Sequence, residues 1–111
     1  MAISESAAGG VVVLGLTGRL DALTVEQARD KLLASAGASA ARLLLDCARL
    51  VYVSSAGLRL VMQVAMRVAA AKGKVVLCAL PRQVQQVFDL AGFAALIPIF
   101  ATREEALAAL G

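Results

Sequence analysis

The sequence contains no histidine and no tryptophan, and only one tyrosine, two cysteines and two prolines among 111 residues. Without histidine, the usual proton shuttle and metal ligand is missing, so a serine nucleophile could draw only on a lysine or a carboxylate as its base. Neither a GxSxG nucleophile elbow nor a GxxxxGK[ST] phosphate loop occurs. Cys47 and Cys78 lack CxxC spacing, which excludes a zinc site and leaves them as small buried apolar residues rather than a disulfide. Asp21 and Asp46, each expected at a strand end, have no neighbouring carboxylate with which to hold a metal beside a phospho-accepting aspartate. These absences point away from an enzyme and imply no cofactor.

Clustered charge and long apolar runs are lacking as well. Eleven basic and eight acidic residues give a net charge of +3 and are spread along the chain without a basic cluster. A nucleic-acid surface would group the basic residues and interleave aromatics, so no nucleic-acid partner is expected. Sixty per cent of residues are hydrophobic and 4% aromatic, so the core must be aliphatic. No stretch reaches the roughly 20 apolar residues of a membrane span, since Leu58 to Ala71 is interrupted by Arg59, Gln63 and Arg67. Met1 to Gly10 carries Glu5 and no basic residue, unlike a signal peptide. The expectation is one cytoplasmic domain, residues 1–111, with no membrane partner.

What is present alternates between short β-branched runs and longer segments of helical period, the pattern of an α/β domain. Ile3 to Ser6 and Val11 to Thr17 read as a hairpin turning at Gly9-Gly10. Thr24 and Gln27 match a capping box before a helix from Val25 to about Ala36, with Val25, Ala28, Leu32, Leu33 and Ala36 on its apolar face and Gly37 at its end. Arg42 to Cys47 is apolar on both faces, as a central covered strand would be. Val51 to Val53 lead into Ser54-Ser55-Ala56-Gly57, after which helical spacing holds until Lys72 and breaks at Gly73. Lys74 to Leu80 forms another buried strand. Pro81 is expected at N1 of a third helix carrying Val84, Val87, Phe88 and Ala91 on one face and closing at Gly92. Leu96 to Phe100 reads as an edge strand because of Pro98, and Thr102 to Glu105 repeats the capping box before a last Ala/Leu helix.

Two hydroxyls and a glycine meet a helix start at Ser54-Ser55-Ala56-Gly57, and two uses are open to them. One serine can cap the helix, accepting a free backbone N–H and contributing about 1 kcal/mol. The same free N–H groups and partial positive charge also accommodate an anion, so a phosphate fits there. Arg59, four residues after Ser55, lies on that face and is either a solvated arginine or a partial counter-charge. By helical geometry Leu60, Val61, Val64 and Val68 are core, Arg59, Gln63, Arg67 and Ala70 form the outer stripe, and Leu58, Met62 and Met66 flank it.

The run Leu16-Thr17-Gly18-Arg19-Leu20-Asp21, the strand Leu43-Leu44-Leu45-Asp46, the Ser54-Ser55-Ala56-Gly57-Leu58 junction, and Val84, Phe88 and Gly92 together resemble the STAS domain of anti-sigma factor antagonists. The resemblance spans nearly the whole chain. It implies a mixed, mainly parallel sheet with helices packed against it. It also implies that Ser55 is phosphorylated by a serine-kinase anti-sigma factor, that the unphosphorylated form binds this kinase, and that a PP2C-like phosphatase resets the switch. Ser54 stands where the family often has Asp, leaving Asp21 as the nearby carboxylate, and Ala56 replaces a second hydroxyl. The partner surface implied is Asp21, Ser54, Ala56, Gly57, Leu58, Arg59 and Met62. Related domains also serve non-sigma outputs such as secretion, or bind small ligands or nucleotides, which keeps those readings open.

Overall fold

The sheet is laid down in chain order. In the computed structural model, which describes residues Met1–Gly111, β1 (Ala2–Ala8) and β2 (Val11–Leu20) form an antiparallel hairpin. Gly9 and Gly10 turn it with φ of +56° and +82°, the left-handed pair that matches the twist of a two-residue hairpin. The strands β3 (Arg42–Val53), β4 (Lys74–Cys78) and β5 (Ile99–Phe100) follow β2 in parallel, so the spatial order is β1-β2-β3-β4-β5. Helices α1 (Val25–Ala36), α2 (Ser55–Ala70) and α3 (Arg82–Leu90) make the crossovers, and α4 (Arg103–Leu110) ends the chain.

A sheet that grows in one direction through right-handed crossovers carries every connecting helix on the same face. The burial pattern agrees. Leu14, Leu16, Leu43, Leu45 and Leu77 pack with Ala28 and Leu32 of α1, Leu60, Val61, Val64 and Val68 of α2, and Val84 and Phe88 of α3. The opposite face, with Val11, Val13, Leu44, Val76 and Cys78, is covered by Ala106 and Leu110 of α4. Leu43, Leu44 and Leu45 are thus fully buried on alternating sides, each contributing about 1.5–3 kcal/mol of hydrophobic stabilisation.

β3 runs on through Val53 instead of stopping at Cys47, because it is bulged twice against β2. The register passes from Gly15↔Asp46 to Thr17↔Arg49, and from Gly18↔Leu50 to Arg19↔Tyr52, so β3 carries one extra residue at each step. Each bulge stretches the inward period from two residues to three. Cys47, Leu50 and Val53 consequently all face the α1–α3 core. Asp46 therefore lies inside the strand, where its carboxylate accepts two hydrogen bonds from Arg103 at 2.6 and 3.0 Å. That bond raises the guanidinium pKa.

Several expected helix ends differ. Thr24 makes no side-chain cap because its hydroxyl donates to the Arg19 carbonyl at 2.7 Å and accepts from the Asp21 N–H at 3.0 Å. Gly37 is not left-handed (φ −81°); after α1 and α2 that conformation falls to Ala40 and Lys72. Gly73 is required for space, since a side chain there would collide with the backbone of Ala41. Pro81 precedes the first residue of α3 rather than occupying it, and Ala91 is exposed. The edge strand shrinks to Ile99–Phe100, because Phe93–Ala95 winds into a 3₁₀ turn and Leu96 stays exposed. Thr102 does cap α4, accepting from Glu105 N–H at 3.2 Å.

Candidate functional site

The adjacent C-terminal ends of β2 and β3 place the serine junction. Leu20 pairs with Val53, and the Ser54 N–H donates to the Leu20 carbonyl at 2.9 Å, so the chain leaves β3 locked to the end of β2. Ser54 is extended (φ −95°, ψ 176°), and its hydroxyl accepts the Gly57 N–H at 3.4 Å. Of the two serines, Ser54 is the cap. Ser55 is the first helical residue and is exposed. Gly57 is buried, and a Cβ there would lie 2.6 Å from the Leu20 carbonyl oxygen and 2.8 Å from Val53 Cγ2. Its lack of a side chain lets the first turn of α2 sit directly on the two strand ends.

The β2–α1 loop forms the neighbouring wall. The Asp21 carboxylate accepts the Leu23 N–H at 3.0 Å and the Thr24 N–H at 3.2 Å, and takes a 3.3 Å bond from Arg19. Desolvation raises its pKa, but the bonds from Leu23, Arg19 and Thr24 together outweigh it and hold the carboxyl below its ordinary value. The Arg19 guanidinium also lies over the Tyr52 ring, 4.3 Å from its centroid, a favourable cation–π geometry. This fastening leaves Leu23 at the loop tip 87% exposed.

Asp21, Ser54, Ser55, Ala56, Leu58, Arg59 and Met62 thus belong to one end of the sheet and the first two turns of α2. Arg59 is exposed; Ala56, Leu58 and Met62 are half-buried, and Leu58 and Met62 also pack against the main core. Gly57 is the exception. Being buried, it offers no contact surface, so its part is positioning. Three residues join the site that sequence reasoning overlooked: Arg19, Leu23 and Tyr52. Leu23 could have been noticed as a large apolar residue outside the apolar stripe of α1, whereas the Arg19–Tyr52 pairing depends on the second bulge of β3. No hydrogen bond ties the Ser55 hydroxyl to a lysine or a carboxylate, the bases left to a chain without histidine. An exposed hydroxyl at a helix N-terminus can instead receive a group delivered by another protein, and an added anion is stabilised there.

The model of the STAS domain family matches residues 3–106. The chain belongs to the STAS domain family. Over 100 residues, 90% of this chain and 86% of the relative, it is 38% identical to BtrV of Bordetella bronchiseptica, named as a candidate anti-sigma factor antagonist. Among solved STAS structures, an anti-sigma-factor antagonist domain protein from Planctomyces limnophilus shares the fold with a TM-score of 0.89 at 24% identity, 97% of each chain being covered. The Bacillus cell fate determinant SpoIIAA in its phosphorylated form matches with a TM-score of 0.74 at 27% identity, covering 99% of this chain and all of that one.

Proposed function

We propose that this STAS domain is an anti-sigma factor antagonist that works by partner switching. In its unphosphorylated form it captures a serine-kinase anti-sigma factor and so frees what that kinase sequesters. The kinase phosphorylates Ser55, the complex separates, and a PP2C-like phosphatase restores the binding form. The observation that carries this reading is the division of labour at the junction: Ser54 holds the helix while Ser55 stands exposed beside it. The names of BtrV and of SpoIIAA, the latter solved in both phosphorylated and unphosphorylated forms, support it.

A phosphate on Ser55 adds about −1.5 to −2 charges without disturbing the core. Asp21, Ser54, Ala56, Leu58, Arg59 and Met62, together with Arg19, Leu23 and Tyr52, form the contact surface, and the apolar members must be desolvated there. A doubly charged group in their midst opposes that desolvation and is repelled by acidic groups of the partner.

Incubation with a serine-kinase anti-sigma factor of the source organism and ATP, followed by mass spectrometry, tests the reading. The expected product carries one phosphate, on Ser55, and Ser54→Ala still yields it. Ser55→Asp should weaken binding to the kinase at least ten-fold, about 1.4 kcal/mol. Phosphate on another residue, or kinase binding indifferent to Ser55→Asp, would overturn the switch.

A further inference from the structure

At the opposite edge of the sheet, β4 is longer than the strand that should cover it. Only Leu77 and Cys78 pair with β5. The Leu77 and Ala79 N–H groups donate to Pro98 and Phe100 carbonyls at 3.0 Å each, whereas Lys74 N–H donates inward, to Ala41 beside β3, at 2.8 Å. By strand alternation, the N–H and C=O of Val75 point outward with those of Leu77. The next rung would join the Val75 carbonyl to an amide at position 98, and proline has none. This edge therefore ends in one open rung. The other edge, β1, has Ser4, Glu5 and Ser6 along it, the polar protection expected of an exposed strand.

The open rung lies on the floor of a groove of about 380 Å³ between α2 and α4, walled by residues such as Val68 and Leu110, with exposed Leu96 at its lip. Nine of its twelve lining residues are hydrophobic. Lys74 is the sole charged residue among them and has no ion-pair partner, because the four ion pairs of the chain lie elsewhere. None of the lining residues is acidic, so a second copy meeting groove to groove would offer Lys74 no carboxylate. What fits is narrow, extended, apolar on alternate residues and negatively charged where it meets Lys74.

We infer that this groove binds an extended segment of a partner protein by strand addition at Val75, the segment placing a carboxylate against Lys74. Main-chain bonds to Val75 supply the register, and the apolar walls select alternate side chains.

Display selection of random heptapeptides on the immobilised full chain tests this, followed by NMR with the selected peptides. The expected peptides alternate β-branched apolar residues, carry Asp or Glu at one end and slow hydrogen exchange of the Val75 amide at least ten-fold. Their affinity should fall at least ten-fold with Lys74→Glu and be lost with Val75→Pro, which removes the outward N–H and leaves the β3–β4 ladder intact. Should Val75→Pro fail to fold, Leu96→Glu, on the exposed lip, takes its place. Ser55→Asp should leave this binding unchanged, which keeps the result separate from the serine switch. No enrichment, peptides that bind elsewhere, indifference to these variants, or self-association through this edge would each overturn the inference.

Discussion

Gly57 and Asp21 hold the site together by opposite means, one by having no side chain and the other by using all of its own. A methyl group at Gly57 would press on the Leu20 carbonyl oxygen, the Leu20 side chain and Val53 within 3 Å. Overpacking of this kind costs about 1–3 kcal/mol, so Gly57→Ala should lower the urea midpoint and displace the NMR signals of Ser54 and Ser55. For Asp21 the sign follows from a folded-state pKa below the ordinary 3.8. Its contribution to stability is fully present above the unfolded value and is lost as pH falls through the folded value. The stability gap between the wild type and Asp21→Asn should therefore be constant near neutrality and narrow below about pH 3.8, as read from urea melts. A gap that is independent of pH would mean that the loop is held without the charge.

Among the elements, three helix starts with a hydroxyl residue at the cap position behave differently. Ser54→Ala and Thr102→Ala should each cost about 1 kcal/mol in thermal or chemical melts, because each removes the acceptor for a free N–H. Gln27→Ala should be neutral, since the Thr24 N–H that a capping-box glutamine would accept is already bonded to Asp21. The capping-box pattern was present at Thr24, but a nearby carboxylate, Asp21, already takes the N–H groups at this helix entry. Periodicity alone placed the apolar faces of α1 and α2 and the doubly buried Leu43-Leu44-Leu45, because burial dictates those positions. It ended β3 early for a physical reason: inward residues at Cys47, Leu50 and Val53 are three apart, a spacing that belongs to no regular strand and is created by pairing with β2. The serine junction could be located from its residue types. The family resemblance singled out Ser55, whereas assigning the cap to Ser54 needed the backbone, and the Arg19–Tyr52 pairing needed the bulged register.

At the scale of the molecule, two cysteines report on the integrity of both sheet faces. Cys47 belongs to the core under α1–α3 and Cys78 to the layer under α4, so adjacent strands carry them to opposite sides. Burial pushes the Cys78 thiol up to about 11, aided by the Asp46 charge, and raises Cys47 further. Neither should react with a thiol-specific chromogenic reagent at pH 8 in the native state, and both should become reactive at the rate of global unfolding. A fast single-thiol phase would reveal that α4 lifts off by itself. The sequential strand order carries a consequence for synthesis. Each new strand joins the free side of the one made before it, so no strand is threaded between two already paired, and a chain emerging from the ribosome can build outward from its first hairpin. The last positions to consolidate are then β5 and α4, and a stalled or clipped nascent chain would fail first at the same margin where Pro98 leaves Val75 without a partner.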